Sequence, residues 1–123
     1  MTVLVYRVEN TDGVGPYWGK ISDWYNKSRC RHDIGLNRPG PGECPKIKST
    51  FGRNVPIDYN FGFYSLASLK TWFPKSDRKL LKEDGYSISV YKVPKKSYFR
   101  ATKQCIFIKE DSEFIEKIDI DKI

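Results

Sequence analysis

The chain has 123 residues, enough for one domain around one core. Aromatic residues make up 15% of it, which argues against disorder over most of its length, and no run of about 18 apolar residues offers a transmembrane helix. The net charge of +7 favours a polyanion, an acidic protein face or a phosphate-bearing ligand, although a basic surface also serves solubility alone.

Residues 3–8 (Val3-Leu4-Val5-Tyr6-Arg7-Val8) are β-branched and aromatic and read as a buried first strand. No basic start or cleavage signal precedes them, so the expectation is a cytoplasmic protein. Asp12-Gly13 and Gly15-Pro16 are turn signals. Trp18, Ile21, Trp24 and Tyr25 recur at helical spacing and predict a short helix over 18–27. A long basic loop at about 28–60 follows, with Pro39-Gly40-Pro41-Gly42, Pro45 and Pro56 and no periodicity; loops of that length often carry function.

Residues 59–64 form a short aromatic strand that runs into Ser65. Ser65 is a good N-cap for a helix through Phe73, with Leu66, Leu69 and Phe73 on one face and Pro74 as its stop. A second helix starts at Ser76-Asp77 and ends near Gly85. Residues 86–93 alternate as a strand, 94–102 read as a basic loop, and 104–108 and 114–120 read as strands. This order predicts an α+β fold: a single domain over 1–123, with a twisted, mainly antiparallel sheet and short flanking helices. Basic residues crowd 92–109 and acids crowd 110–123, so the two blocks are expected to balance each other.

The strand-to-helix corner at Tyr64-Ser65 is the leading candidate site. The first free amides of a helix point outward with partial positive charge, and an anion fits there. Cys30, His32 and Cys44, with Asp33, offer some zinc ligands. Zinc sites usually show ligand pairs two to four residues apart, so a loop with free cysteines is the plainer reading and no metal is assigned. The odd, irregular set Cys30, Cys44 and Cys105 argues against a disulfide framework. Basic residues mixed with aromatics allow nucleic-acid contact: Arg29, Arg31, Arg38, Lys46, Lys48 and Arg53 near Tyr25 and Phe51, and Lys95, Lys96 and Arg100 near Tyr98 and Phe99. No RNP box, zinc finger, Walker loop or Gly-x-Gly-x-x-Gly helix start accompanies them.

Three segments together resemble the ADP-ribosyltransferase fold. Tyr6-Arg7 in the first strand is similar to that family's opening strand, whose Arg or His touches the NAD ribose and phosphates. Phe61-Gly62-Phe63-Tyr64-Ser65-Leu66 is similar to its strand followed by a Ser or Thr at a helix corner. Lys103-Gln104-Cys105-Ile106-Phe107-Ile108, then Phe114-Ile115-Glu116-Lys117-Ile118, resembles its closing strands. The resemblance implies that Arg7, Tyr64 and Ser65 hold NAD or a related nucleotide. It also implies that Gln104 stands where the family carries its catalytic Glu. A neutral amide hydrogen-bonds but supplies no negative charge for glycosidic cleavage.

The start of the chain, Val-Tyr-Arg-Val-Glu followed by Gly-Val-Gly-Pro-Tyr, also resembles small phage proteins. That likeness implies a product acting on host machinery or host defence in the host cytoplasm. The expectation is a binding or inhibitory protein with a nucleotide- or protein-binding cleft, a host protein as partner and no membrane. An active transferase, with Glu110 or Glu113 replacing the missing Glu, and a nucleic-acid-binding protein are the alternatives. A ligand role for Arg7 predicts that Arg7→Ala weakens binding and leaves stability unchanged.

Overall fold

The computed structural model describes residues 1–13, 15, 59–100 and 104–123. The expected helix over 18–27, nearly all of the basic loop and the Cys30, His32 and Cys44 group lie outside the described residues. The described elements are β1 (Thr2–Glu9), β2 (Tyr59–Gly62), α1 (Leu66–Trp72), α2 (Lys75–Glu83), β3 (Ser87–Pro94), β4 (Tyr98–Arg100), β5 (Cys105–Ile108) and β6 (Glu113–Ile118). Single 3-10 turns stand at Lys95–Ser97 and Lys109–Asp111.

The strands form two antiparallel sheets, β1-β3-β6 and β2-β5-β4. One reciprocal backbone pair joins them. Tyr6 N–H donates to the Phe63 carbonyl at 2.9 Å, and Phe63 N–H donates to the Tyr6 carbonyl at 2.8 Å. The strand order across the whole is therefore β4-β5-β2-β1-β3-β6, a split sheet hinged at Tyr6 and Phe63.

Alternation along β1 explains how the split sheet is filled. Val8 on one face joins Ile88, Phe63, Leu69, Phe73 and Leu81, so α1 and α2 cover that face. Val5 on the other joins Tyr91, Val93, Cys105 and Phe107, so the second sheet covers that one. Full burial of side chains of this size stabilises by roughly 1.5–3 kcal/mol each. Gly62 sits against Val5 of β1 and Phe107 of β5. A Cβ there would lie 2.6 Å from Val5 Cγ1 and 3.2 Å from Phe107 Cε1.

α1 forms as expected. Ser65 has extended backbone angles, and its hydroxyl accepts from Ser68 N–H at 3.1 Å. Leu69 and Phe73 are buried on one face, with Leu66 partly buried beside them. α2 begins earlier than expected, at Lys75. Pro74, with φ of −59°, precedes it, and the ring restricts the chain to the dihedral with which a helix starts. The segment expected to be a loop over 94–102 instead contains a 3-10 turn and β4. Its cations stay exposed while Tyr98 turns onto the Val5–Tyr91 core, so a strand of three residues is worth forming.

A buried charge cluster ties the two sheets. The Glu9 side chain is only 5% exposed. It accepts from Arg7 Nε at 2.9 Å, from the Tyr91 hydroxyl at 2.6 Å and from Lys109 Nζ at 3.1 Å. Arg7 Nη1 also donates to the Phe61 carbonyl on β2 at 2.7 Å, and Lys109 Nζ reaches the Gly13 carbonyl at 3.2 Å. Gly13 takes a positive φ of 78°, which closes the turn after β1 under the Lys109 ammonium. Burial alone raises the Glu9 pKa. The Tyr91 hydroxyl and the Lys109 charge outweigh it and hold the carboxyl below its ordinary value of 4.5. Among the described residues the Ser89 hydroxyl has no hydrogen-bond partner, and Tyr91 is the hydroxyl that meets Glu9.

Removing one member of a buried pair leaves the other charge unmatched. Arg7→Ala and Glu9→Gln should each destabilise by about 3 kcal/mol, read as a fall in melting temperature. Glu9 has a lowered folded pKa, so its contribution is complete above 4.5 and is lost as pH falls through the lower folded value. The stability gap between wild type and Glu9→Gln should therefore narrow in acid titrations below that point, and a gap that widens there would contradict the cluster. Gly62→Ala should cost about 1–3 kcal/mol through overpacking. Adding Val5→Ala should return part of that loss, a coupling that a double-mutant cycle measures.

Candidate functional site

The Tyr6–Phe63 bridge puts β1, β2 and β5 side by side, and these strands carry the three segments singled out in the sequence. Gly62 pairs with Cys105, so Gln104 stands one step past that ladder, level with Phe63. Tyr64 and Ser65 follow Phe63 at the corner into α1. The structure thus brings Tyr64, Ser65 and Gln104 to one end of adjacent strands.

Arg7 is placed differently. Its side chain is 12% exposed, and Nε and Nη1 are engaged by Glu9 and the Phe61 carbonyl. Along β1 it shares the face of Val5 and Glu9, the face turned to the second sheet. Alternation along β5, continued back from Cys105, turns Gln104 the other way, toward the side of Phe63. Arg7 and Gln104 therefore lie on neighbouring strands but face opposite sides of the sheet.

Gln104 is 1% exposed, and its Oε1 has no hydrogen-bond partner among the described residues. Its strand is not an edge: β4 pairs with β5 on the side away from β2. Neither tail acid comes near it. Glu110 follows β5 at its far end, and Glu113 lies on β6, the opposite border of the split sheet, across from Lys92. The buried carboxylate of Glu9 is consumed by Arg7, Lys109 and Tyr91.

Beside the corner, Arg100 lies over the Tyr64 ring, its guanidinium carbon 4.0 Å from the ring centroid. Arg100 pairs with Cys105 across β4 and β5, so it shares the face of Cys105 and Phe107. Tyr98 stands on the same face. Burial first, and then the Cys105 charge, push its phenol up to about 12, against the pull of Arg100. Burial likewise pushes the Cys105 thiol up to about 12, so it is no nucleophile at neutral pH. Ser65 spends an acceptor lone pair on its helix, and its hydroxyl hydrogen is not committed by that bond.

Sequence reasoning overlooked Glu9, Lys109 and the particular place of Arg100. Arg7-x-Glu9 on a strand is a legible signal, because alternate residues share a face. Lys109 carries no such signal, since only the fold brings it to β1. Among the described residues no group of three His, Cys, Asp or Glu could hold a metal ion, and no described helix is long and apolar enough to cross a membrane.

Comparison with protein-family models matches residues 1–121 to the Bacteriophage T4 Y00F protein. Comparisons with curated proteins and with solved structures give no match, so the transferase resemblance gains no support from them. The match spans nearly the whole chain, and the protein belongs to the Bacteriophage T4 Y00F family.

Proposed function

We propose that this phage protein binds a nucleotide of the NAD type without cleaving it, on an ADP-ribosyltransferase-like scaffold, and acts in the host cytoplasm on host machinery or host defence. The observation that carries the non-catalytic part is Gln104. A buried amide with an open Oε1 stands where the resemblance expects a carboxylate, and no described acid lies at hand to replace it. An amide can accept a hydrogen bond from a ligand hydroxyl but cannot stabilise a developing cation as a carboxylate does.

What supports the nucleotide part is the set of groups at the corner. Tyr64 presents an aromatic ring, Ser65 a hydroxyl and Arg100 a fixed positive charge. The adjacency of β1, β2 and β5 also agrees with the order of segments that the resemblance requires. Membership of a phage family supports a role in the infected cell.

Isothermal calorimetry with NAD tests the reading. Saturable heat, together with no transfer of label from labelled NAD to protein in a host lysate, is the expected outcome. Absence of heat and of any thermal shift would overturn nucleotide binding, and a labelled proteome would overturn the non-catalytic part.

A further inference from the structure

We infer that Arg100, and not Arg7, is the residue that contacts the anionic group of the ligand, a diphosphate or similar phosphate ester. This inference rests on the nucleotide reading above and assigns that site its cation. An arginine serves an oxyanion through the N–H groups at the edge of its planar guanidinium. Arg7 has spent two of those directions on Glu9 and the Phe61 carbonyl, and the Glu9 carboxylate already balances its charge inside the protein. An incoming phosphate would have to displace a buried carboxylate from it.

Arg100 is in the reverse condition. Its residue is exposed, and it has no carboxylate partner among the described residues. Its guanidinium carbon lies 4.0 Å from the centroid of the Tyr64 ring. A cation–π contact uses the flat face of the guanidinium and leaves the edge N–H donors free. The Tyr64 ring thus limits the rotamers of Arg100 without consuming its hydrogen bonds, and a cation held in this way loses less entropy when it binds an anion. Tyr64 leads directly into Ser65, and Arg100 faces Cys105, the residue after Gln104. The charge therefore lies beside Tyr64 and Ser65, while Gln104, one residue before Cys105, faces the other side of the sheet.

Calorimetry with two probes, NAD and adenosine, on wild type, Arg100→Ala and Arg100→Lys separates the possibilities. Arg100→Ala should weaken NAD binding by about tenfold to a hundredfold, the usual worth of a charge-assisted hydrogen bond. Adenosine, which has no phosphate, should bind both proteins alike. Arg100→Lys should fall between, because it keeps the charge and loses the planar fork. The melting temperature should stay near that of wild type, since the exposed Arg100 supports no buried partner. NAD binding unchanged in Arg100→Ala would overturn the inference and leave the nucleotide reading intact. Absence of NAD binding in wild type would overturn both.

Discussion

One carboxylate decides how the two halves of this protein meet. Glu9 ends β1, yet it gathers an arginine from its own strand, a tyrosine from β3 and a lysine from the turn after β5. Through Arg7 the same cluster reaches the backbone of β2. A buried charge is tolerable only when its lone pairs are filled and its charge is matched, and both conditions are met here by Arg7 and Tyr91 of one sheet and Lys109 of the turn after β5. The hydrophobic layers on either side are not directional. The cluster is directional, and together with the Tyr6–Phe63 bridge it sets the register in which the sheets meet.

That constraint governs the reading of the site. An arginine in a first strand invites assignment to a ligand phosphate, but an arginine engaged by a buried glutamate and a backbone carbonyl is part of the frame. Arg100 on β4, with its guanidinium over the Tyr64 ring and no carboxylate partner among the described residues, is the cation we assign to the ligand. The same accounting bears on chemistry. Glu9 is neutralised, Glu113 is at the wrong border of the sheet, and Gln104 is uncharged, so the corner holds groups for recognition and no described carboxylate for cleavage.

Much of the frame was legible in the sequence. β1 and β3 announced themselves through β-branched and aromatic residues, and Ser65 with Leu69 and Phe73 fixed the start and inner face of α1. β4 was not legible, because three residues within a basic segment give no period to read, and its stability comes from pairing with β5 and from Tyr98 in the core. The burial of Gln104 was likewise not legible, because β4 is what makes its strand internal. The partners of Glu9 were hidden for a plainer reason: Lys109 lies a hundred positions away, and long-range pairing leaves no local trace.

The most direct measurement follows the arginine side chains themselves. In a titration with NAD, the Nε–H resonances of Arg7 and Arg100 report separately by NMR. The Arg100 signal should shift and saturate with the ligand, while the Arg7 signal, held by Glu9, should keep its position. A saturable shift at Arg7 with none at Arg100 would contradict the assignment of one arginine to the frame and the other to the ligand.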